Sequence, residues 1–339
     1  MVQTRGYSKS QEFNEFELPS NLFFISLHKD KNLENHNKDI ETYKSNNNSG
    51  EIISKIDESF QKIRQDIIDN YRNTDEIKFC MDMNYYADLL NAIIKSPDIL
   101  SKQIQNDLIS KVHQEWEKIL QVKNIDECTR ETDLNSIRKR CILKHMHDLN
   151  IDKDHIMVYS KEYKKYLGDK WGKIIRYTNP LIGGLYIKIE NDSMGIIEKY
   201  DYFLYSSDYI CDNGMDKLST DDITIFTNVD SIINTISLEV APYNNVNRAC
   251  YNEKYIELLK IKSSRIQRMN NLLCIGIALL GFSLILIFLY RFSPLGNFLR
   301  RCTKKKIEVD ENMSEEIMSE LYENSKNERQ YITYHSSSH

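Results

Sequence analysis

The feature that most constrains this chain is the run from Leu272 to Tyr290, LLCIGIALLGFSLILIFLY, which contains no charged residue and no proline. At about 1.5 Å per residue this run reaches roughly 28 Å as a helix, close to the ~30 Å hydrocarbon core of a bilayer. Lipid offers backbone N–H and C=O groups no partner, so a lone segment of this kind must close its hydrogen bonds internally as a helix. A core helix of a soluble protein would carry a polar face over this length, and this run has none. One transmembrane helix is therefore expected at 272–290. Gly276, Ala278, Gly281 and Ser283 offer small side chains for close packing there, but the two glycines are five apart and form no GxxxG pair.

Basic residues bracket the run. Lys260, Lys262, Arg265 and Arg268 precede it, and Arg291, Arg300, Arg301, Lys304, Lys305 and Lys306 follow. The excess on the C-terminal side places that side in the cytoplasm by the positive-inside bias. Tyr290 stands where an interfacial aromatic anchor would. The cluster from Arg300 to Lys306 is expected to hold the tail against an anionic leaflet, or else to act only as a stop-transfer signal. Asp310, Glu311, Glu315 and Glu316 would turn away from such a surface. Cys302, among these cations, is a candidate lipidation site; a plain thiol is the alternative. Met1 to Leu27 lacks an apolar stretch of the signal-peptide kind.

The large region before the run has few structure breakers. The whole chain holds 11 Gly and 5 Pro, with 21 Tyr and 12 Phe to build a core. That balance disfavours an all-β fold and predicts a mainly α protein: a helical N-terminal ectodomain, a single transmembrane helix and a short disordered C-terminal tail. Residues 1–50 read as a polar segment with an apolar patch at Leu18 to Leu27 and a flexible loop ending at Ser45 to Gly50. Residues 51–260 read as the helical domain, 261–271 as a basic juxtamembrane segment, and 291–339 as a basic, then acidic, cytoplasmic tail.

Helical stripes at spacings of three and four run through 51–260. They use Ile53, Ile56, Phe60, Ile63, Ile67 and Tyr71, then Tyr85, Tyr86, Leu89, Leu90, Ile93 and Ile94, with a stop at Ser96-Pro97. Ile104, Leu108, Val112, Trp116 and Ile119 make a third, and Leu134, Ile137, Cys141 and His145 a fourth. Tyr163, Tyr166, Leu167, Trp171, Ile174 and Ile175 make the fifth. Both tryptophans are in phase with the apolar face and should be buried. From Ile182 to Ala249 the period weakens; Leu185 to Ile189 alternates like a short strand, and Asp201 to Val240 reads as loop-rich. Tyr251 to Met269 is again helical.

Motifs for chemistry are sparse. A net charge of −5 gives no case for nucleic acid. Five cysteines, Cys80, Cys128, Cys141, Cys211 and Cys250, are candidate disulfide residues if the domain faces an oxidising space; two bridges and one free thiol would result, with connectivity open, and five reduced thiols are the alternative. Cys141, His145, His147 and His155 lack any CxxC or HExxH partner pattern, so no metal site is assigned. Gly183-Gly184 is no phosphate loop. Asn47 and Asn191 open N-x-S sequons. No catalytic set stands out, so neither an enzyme nor a cofactor is expected.

Several segments together resemble the Plasmodium interspersed repeat (PIR) superfamily, the variant multigene family of malaria parasites that includes the vir and cir proteins. Glu17-Leu18-Pro19-Ser20 is similar to the family's opening motif, and Cys80-Met81-Asp82-Met83-Asn84-Tyr85-Tyr86-Ala87-Asp88-Leu89-Leu90 to its C-x-x-x-N-Y-[WY]-x-D-L helix. Arg291-Phe292-Ser293-Pro294-Leu295-Gly296-Asn297-Phe298-Leu299-Arg300-Arg301 resembles its strongest signature, and here it directly follows the apolar run. The chain departs from the family in carrying fewer ectodomain cysteines, with none near Tyr159-Ser160, and Ile182 to Thr227 matches no family pattern. The resemblance implies a variant antigen of the infected red cell, exported or displayed at its surface, with roles in host interaction, antigenic variation and immune evasion. It implies a host-cell protein ligand as partner and no catalytic residues. The alternative is an intracellular membrane-anchored trafficking or remodelling protein whose large domain stays in the cytoplasm.

Deleting 272–290 should convert the protein from detergent-requiring to soluble, and the full chain should resist carbonate extraction at high pH. Release of the full chain by carbonate would remove the span.

Overall fold

Few breakers and five in-phase apolar stripes should give stacked helices, and they do. The computed structural model describes residues 12–24, 32–43, 49–70, 75–95, 100–123, 128–179, 184–211, 215, 217–238, 250–292 and 294–330. It divides into two units, 1–263 and 264–339. The protein is mainly helical.

In the first unit, α1 (Asn32–Glu41), α2 (Ser49–Asn70), α3 (Glu76–Lys95), α4 (Lys102–Lys123), α5 (Leu134–Ile151), α6 (Lys153–Val158) and α7 (Ser160–Thr178) build the helical layer. α3 is the central member and packs on α1, α4, α5 and α7. Its buried residues include Phe79, Met83, Tyr86, Leu90 and Ile94 on one face and Tyr85, Asp88 and Ala92 on the opposite one, as expected of a helix with neighbours all round. Asp133 caps α5 by accepting from the Asn135 and Ser136 amides. Trp116 and Trp171 are 4 % and 0 % exposed, in accord with their phase. In α2, Ile52 is buried alongside Ile56, Phe60 and Ile63, whereas Ile53 is only partly so. The Ile67 side chain, Tyr71, and the stop at Ser96-Pro97 lie outside the described residues.

Three sequence expectations need correction. The described residues among the first 50 are not a separate polar segment. Leu18, the extended residue between two short 3₁₀ turns, joins the main core together with Ile40 of α1, while buried His36 of α1 meets Ser59 of α2 at 2.8 Å. Their apolar residues are too few per element to show a stripe, so tertiary packing decides. Residues 44–48 of the expected loop are outside the described residues.

The second correction is the extent of the sheet: the short strand expected at Leu185 to Ile189 is present as β1, and three further strands stand where a weak period or loops were expected. β1 (Tyr186–Asn191) and β2 (Met194–Lys199) form an antiparallel hairpin. Beyond α8 (Tyr200–Tyr205), β3 (Ile223–Phe226) pairs antiparallel with β1. After α9 (Val229–Thr235), β4 (Cys250–Tyr251) pairs parallel with β2, giving the order β3-β1-β2-β4. Met194, Ile196 and Ile197 are all buried, so β2 is covered on both faces and shows no alternation to read. The Asn191 side chain shapes the hairpin turn by accepting from the Ser193 and Met194 amides at 2.8 and 3.0 Å. Gly184, just ahead of β1, sits at φ +78°, a conformation that favours glycine.

The third correction concerns the tail. α10 (Glu253–Phe292) contains the apolar run, and α11 (Pro294–Gln330) is helical where disorder was expected. Proline at the first helical position is compatible with a helix start, and the Arg, Lys, Glu, Met and Leu that follow are good helix formers. The charged composition hid this propensity. Residues 331–339 are outside the described residues.

A Cβ on Gly195 would lie 2.5 Å from a Tyr251 ring carbon and 2.7 Å from Tyr255. Gly195→Ala should therefore destabilise the first unit by about 1–3 kcal/mol in urea unfolding. An unchanged midpoint would show that the rings move aside freely.

Candidate membrane anchor and buried polar framework

Along α3, Cys80, Asn84 and Asp88 recur every four residues and share one helix face. That face meets the chain entering α5. Cys80 bonds Cys128, and Asn84 donates to the Cys80 sulfur at 3.5 Å and to the Thr129 carbonyl at 3.4 Å. Asp88, 1 % exposed, accepts from Arg130 Nε and Nη2 at 3.2 and 3.0 Å and from Arg140 Nε and Nη2, both at 3.0 Å. Cys80, Asn84, Asp88, Cys128, Thr129 and Arg140 border an open cavity of about 480 Å³, together with Tyr85, Ser136 and Asp221. Its lining mixes both charge signs with an oxidised cysteine pair, and no nucleophile–base pair converges on it.

The opposite side of α3 carries a second ionic set. Lys144 on α5 donates to Asp82 at 2.6 Å and to Asp148 at 2.9 Å, and Lys170 on α7 donates to the other Asp148 oxygen at 2.6 Å. The Lys170 ammonium also lies 5.3 Å from the Trp171 ring centre and 5.5 Å from that of Tyr85. Burial opposes ionisation of Asp148, yet Lys144 and Lys170 together outweigh it and hold its pKa below the usual carboxylate range. Asp82 lies above that range because burial outweighs Lys144. Asp152, between α5 and α6, is raised by burial too, against hydrogen bonds from Ser20. It accepts from the Ser20 amide at 2.9 Å, the Ser20 hydroxyl at 2.6 Å and the Tyr163 hydroxyl at 2.9 Å. That knot fixes the N-terminal strand of chain to the core.

The five candidate cysteines of the large unit separate into two roles. Cys80 pairs with Cys128 and Cys211 with Cys250, while Cys141 is a buried thiol. Burial pushes the Cys141 thiol well above its ordinary pKa, so it is unreactive. His145 donates from Nε2 to the Ser206 carbonyl at 2.9 Å and meets Trp171 and Phe203 edge-on. Among the described residues no group of His, Cys, Asp and Glu is placed to hold a metal ion. Asn191 of one sequon is the last residue of β1, beside the hairpin turn; Asn47 lies outside the described residues, as does Gly183.

In the second unit the side chains from Leu272 to Tyr290 are largely exposed, and among the described residues α10 is the one helix long and apolar enough to cross a membrane. Arg265, Arg268, Arg291, Arg300, Arg301, Lys304 and Lys305 are exposed on either side, and the Lys306 side chain is outside the described set. The Arg300 guanidinium lies 5.0 Å over the Tyr290 ring, a pairing suited to the interfacial zone. Cys302 is exposed.

Sequence reading missed both ionic sets. The available signal was acidic residues in phase with core positions: Asp82 and Asp88 within the densest apolar helix, and Lys144-Asp148 at i, i+4 beside Cys141 and His145. No family model, curated protein or solved structure matches this chain.

Burial lowers the His145 pKa from 6.5 to about 4. The unfolded chain therefore takes up a proton that the folded state refuses, so stability is full above pH ~6.5 and falls as pH drops toward ~4. The loss from this residue should reach up to about 3 kcal/mol. His36, lowered to about 4 by burial, acts in the same sense, and raised Asp82 and Asp152 act in the opposite one. His145→Gln should flatten the difference in urea stability of residues 1–263 between pH 7 and 5; parallel pH profiles would remove His145 from the cause.

Proposed function

We propose that this chain is a membrane-anchored variant antigen of an infected red cell, exported or displayed at its surface, with residues 1–263 as the host-facing domain. The observation that carries this reading is the segment from Arg291 to Arg301, similar to the PIR tail signature and placed directly after the single apolar helix. A translocated domain suits the two cysteine pairs, because such bonds persist in oxidising compartments and are rare in the cytosol. The same argument weighs against the second reading, a trafficking or remodelling factor with its large domain in the cytoplasm. In the favoured reading the domain acts by binding a host-cell protein and by sequence variation, with no reaction assigned to it.

Protease treatment of intact infected cells should remove residues 1–263 and leave a protected fragment containing the span and tail. Full protection of the large domain would favour the cytoplasmic reading. Non-reducing mass mapping of the same material should link Cys80 to Cys128 and Cys211 to Cys250; five free thiols would count against surface display.

A further inference from the structure

α11 is 37 residues long and has an uneven charge pattern on one continuous helix. Arg300, Arg301, Lys304 and Lys305 occupy its first half, and Glu315, Glu316, Glu320 and Glu323 its second, all exposed. At about 100° per residue, Phe298, Cys302, Met313, Ile317 and Leu321 fall along one side of the helix. Phe298, Met313, Ile317 and Leu321 are 65, 54, 53 and 64 % exposed. Arg301, Lys305, Glu316, Glu320 and Glu323 fall together on one flank of that stripe.

We infer that this helix pairs antiparallel with α11 of a second copy of the chain, with Arg301 and Lys305 of each facing Glu320 and Glu316 of the other. In an antiparallel pair the same flank of each helix meets its own image running backwards, so a flank that is basic first and acidic later is complementary to itself. The two contacts agree in register, because 301 with 320 and 305 with 316 give the same centre of symmetry. That register also brings Phe298 near Leu321 and Cys302 near Ile317. A parallel pair would set basic half against basic half. An anionic lipid surface would satisfy Arg301 and Lys305 but repel the acidic half, leaving Met313, Ile317 and Leu321 uncovered. Two-fold pairing about an axis along the membrane normal is open to chains anchored in the same bilayer. The inference concerns the second unit and does not rest on the surface-antigen reading.

The test uses full-length protein in nanodiscs with Cys274→Ala, so that Cys302 is the exposed tail thiol. Adding Ile317→Cys should produce a disulfide-linked dimer on mild oxidation, joining Cys302 of one copy to position 317 of the other, while Cys302 alone should produce none. A cross-link through Cys302 alone would mean parallel pairing and would overturn the inference. So would the absence of any cross-link together with tail protection that requires phosphatidylserine in the nanodisc, which would make lipid the occupant. Independently of the introduced thiol, Arg301→Glu with Lys305→Glu should lower self-association in detergent by about tenfold, and adding Glu316→Lys with Glu320→Lys should restore it. Failure of the combined swap to restore association would also overturn the pairing.

Discussion

Two lysine ammonium groups in the middle of the helical layer set the terms for everything packed around them. Lys144 and Lys170 are drawn from different helices, and both reach Asp148, while Lys144 also reaches Asp82 on α3. Removing one partner would strand a buried charge at a cost of about 3–5 kcal/mol, whereas the intact set contributes much less net stability. Its consequence is therefore specificity of arrangement. An apolar seam between α3, α5 and α7 would tolerate sliding by a turn; this one has a single register in which each carboxylate finds its cation. The aromatic rings of Tyr85, Tyr166 and Trp171 around Lys170 complete the constraint, because their faces accept the positive charge that water no longer reaches.

The ionic set is local to three helices, and the chain ends need other fastenings. Cys80–Cys128 ties α3 to the chain entering α5 across a separation of 48 residues, and Cys211–Cys250 closes 39 residues around β3 and α9. Loops of that size remove about 3–4 kcal/mol worth of unfolded-chain entropy each in the chain-entropy account. The second bridge also lies where α10 begins. Asn252 accepts from the Tyr255 amide at the start of α10, while its side chain exchanges hydrogen bonds with the backbone of Ile197 in β2 at 2.8 and 3.1 Å. Tyr255 then donates to Glu190 on β1 at 2.7 Å.

How much of this could be read in the sequence depended on how many residues each element devotes to one period. α2, α4, α5 and α7 each repeat an apolar position over several turns, so their existence, and the burial of Trp116 and Trp171, were legible. The apolar run at 272–290 was legible for the same reason. Of the sheet, β1 was legible by its alternation, but the other strands were not, because β2 is apolar on both faces, β3 has four residues and β4 two. Leu18 was visible as part of an apolar patch but without a period to say where it packs, and Ile40 was lost among polar neighbours. Asp82, Asp88, Lys144 and Lys170 were passed over because a charge on a helix usually faces water; apart from the Lys144–Asp148 pair within α5, their partners come from elsewhere in the chain and only the third dimension shows them. The cysteines were legible as candidates, while their pairing depended on the fold.

The small sheet gives the anchor helix its origin. Ile197 of β2, Ile232 and Ile233 of α9, Ile236, and Tyr255, Leu258 and Leu259 of α10 form an apolar cluster separate from the main core. The helix that carries the membrane-compatible run thus starts as a packed element of the first unit, with its opening turns held by the sheet and by Asn252. A helix released from its domain by a flexible linker would place no demand on neighbouring residues. Here the demand is visible at Gly195, whose missing side chain leaves room for Tyr251 and Tyr255. The sheet is therefore better understood as the socket of α10 than as an independent layer. Lys262 extends the attachment by donating to the Asn234 carbonyl at 2.9 Å and to the Ile236 carbonyl at 2.5 Å, tying α10 to the end of α9 at the last residues of the first unit. That position matters physically, because a lysine spent on carbonyls inside the domain is not available to a lipid headgroup.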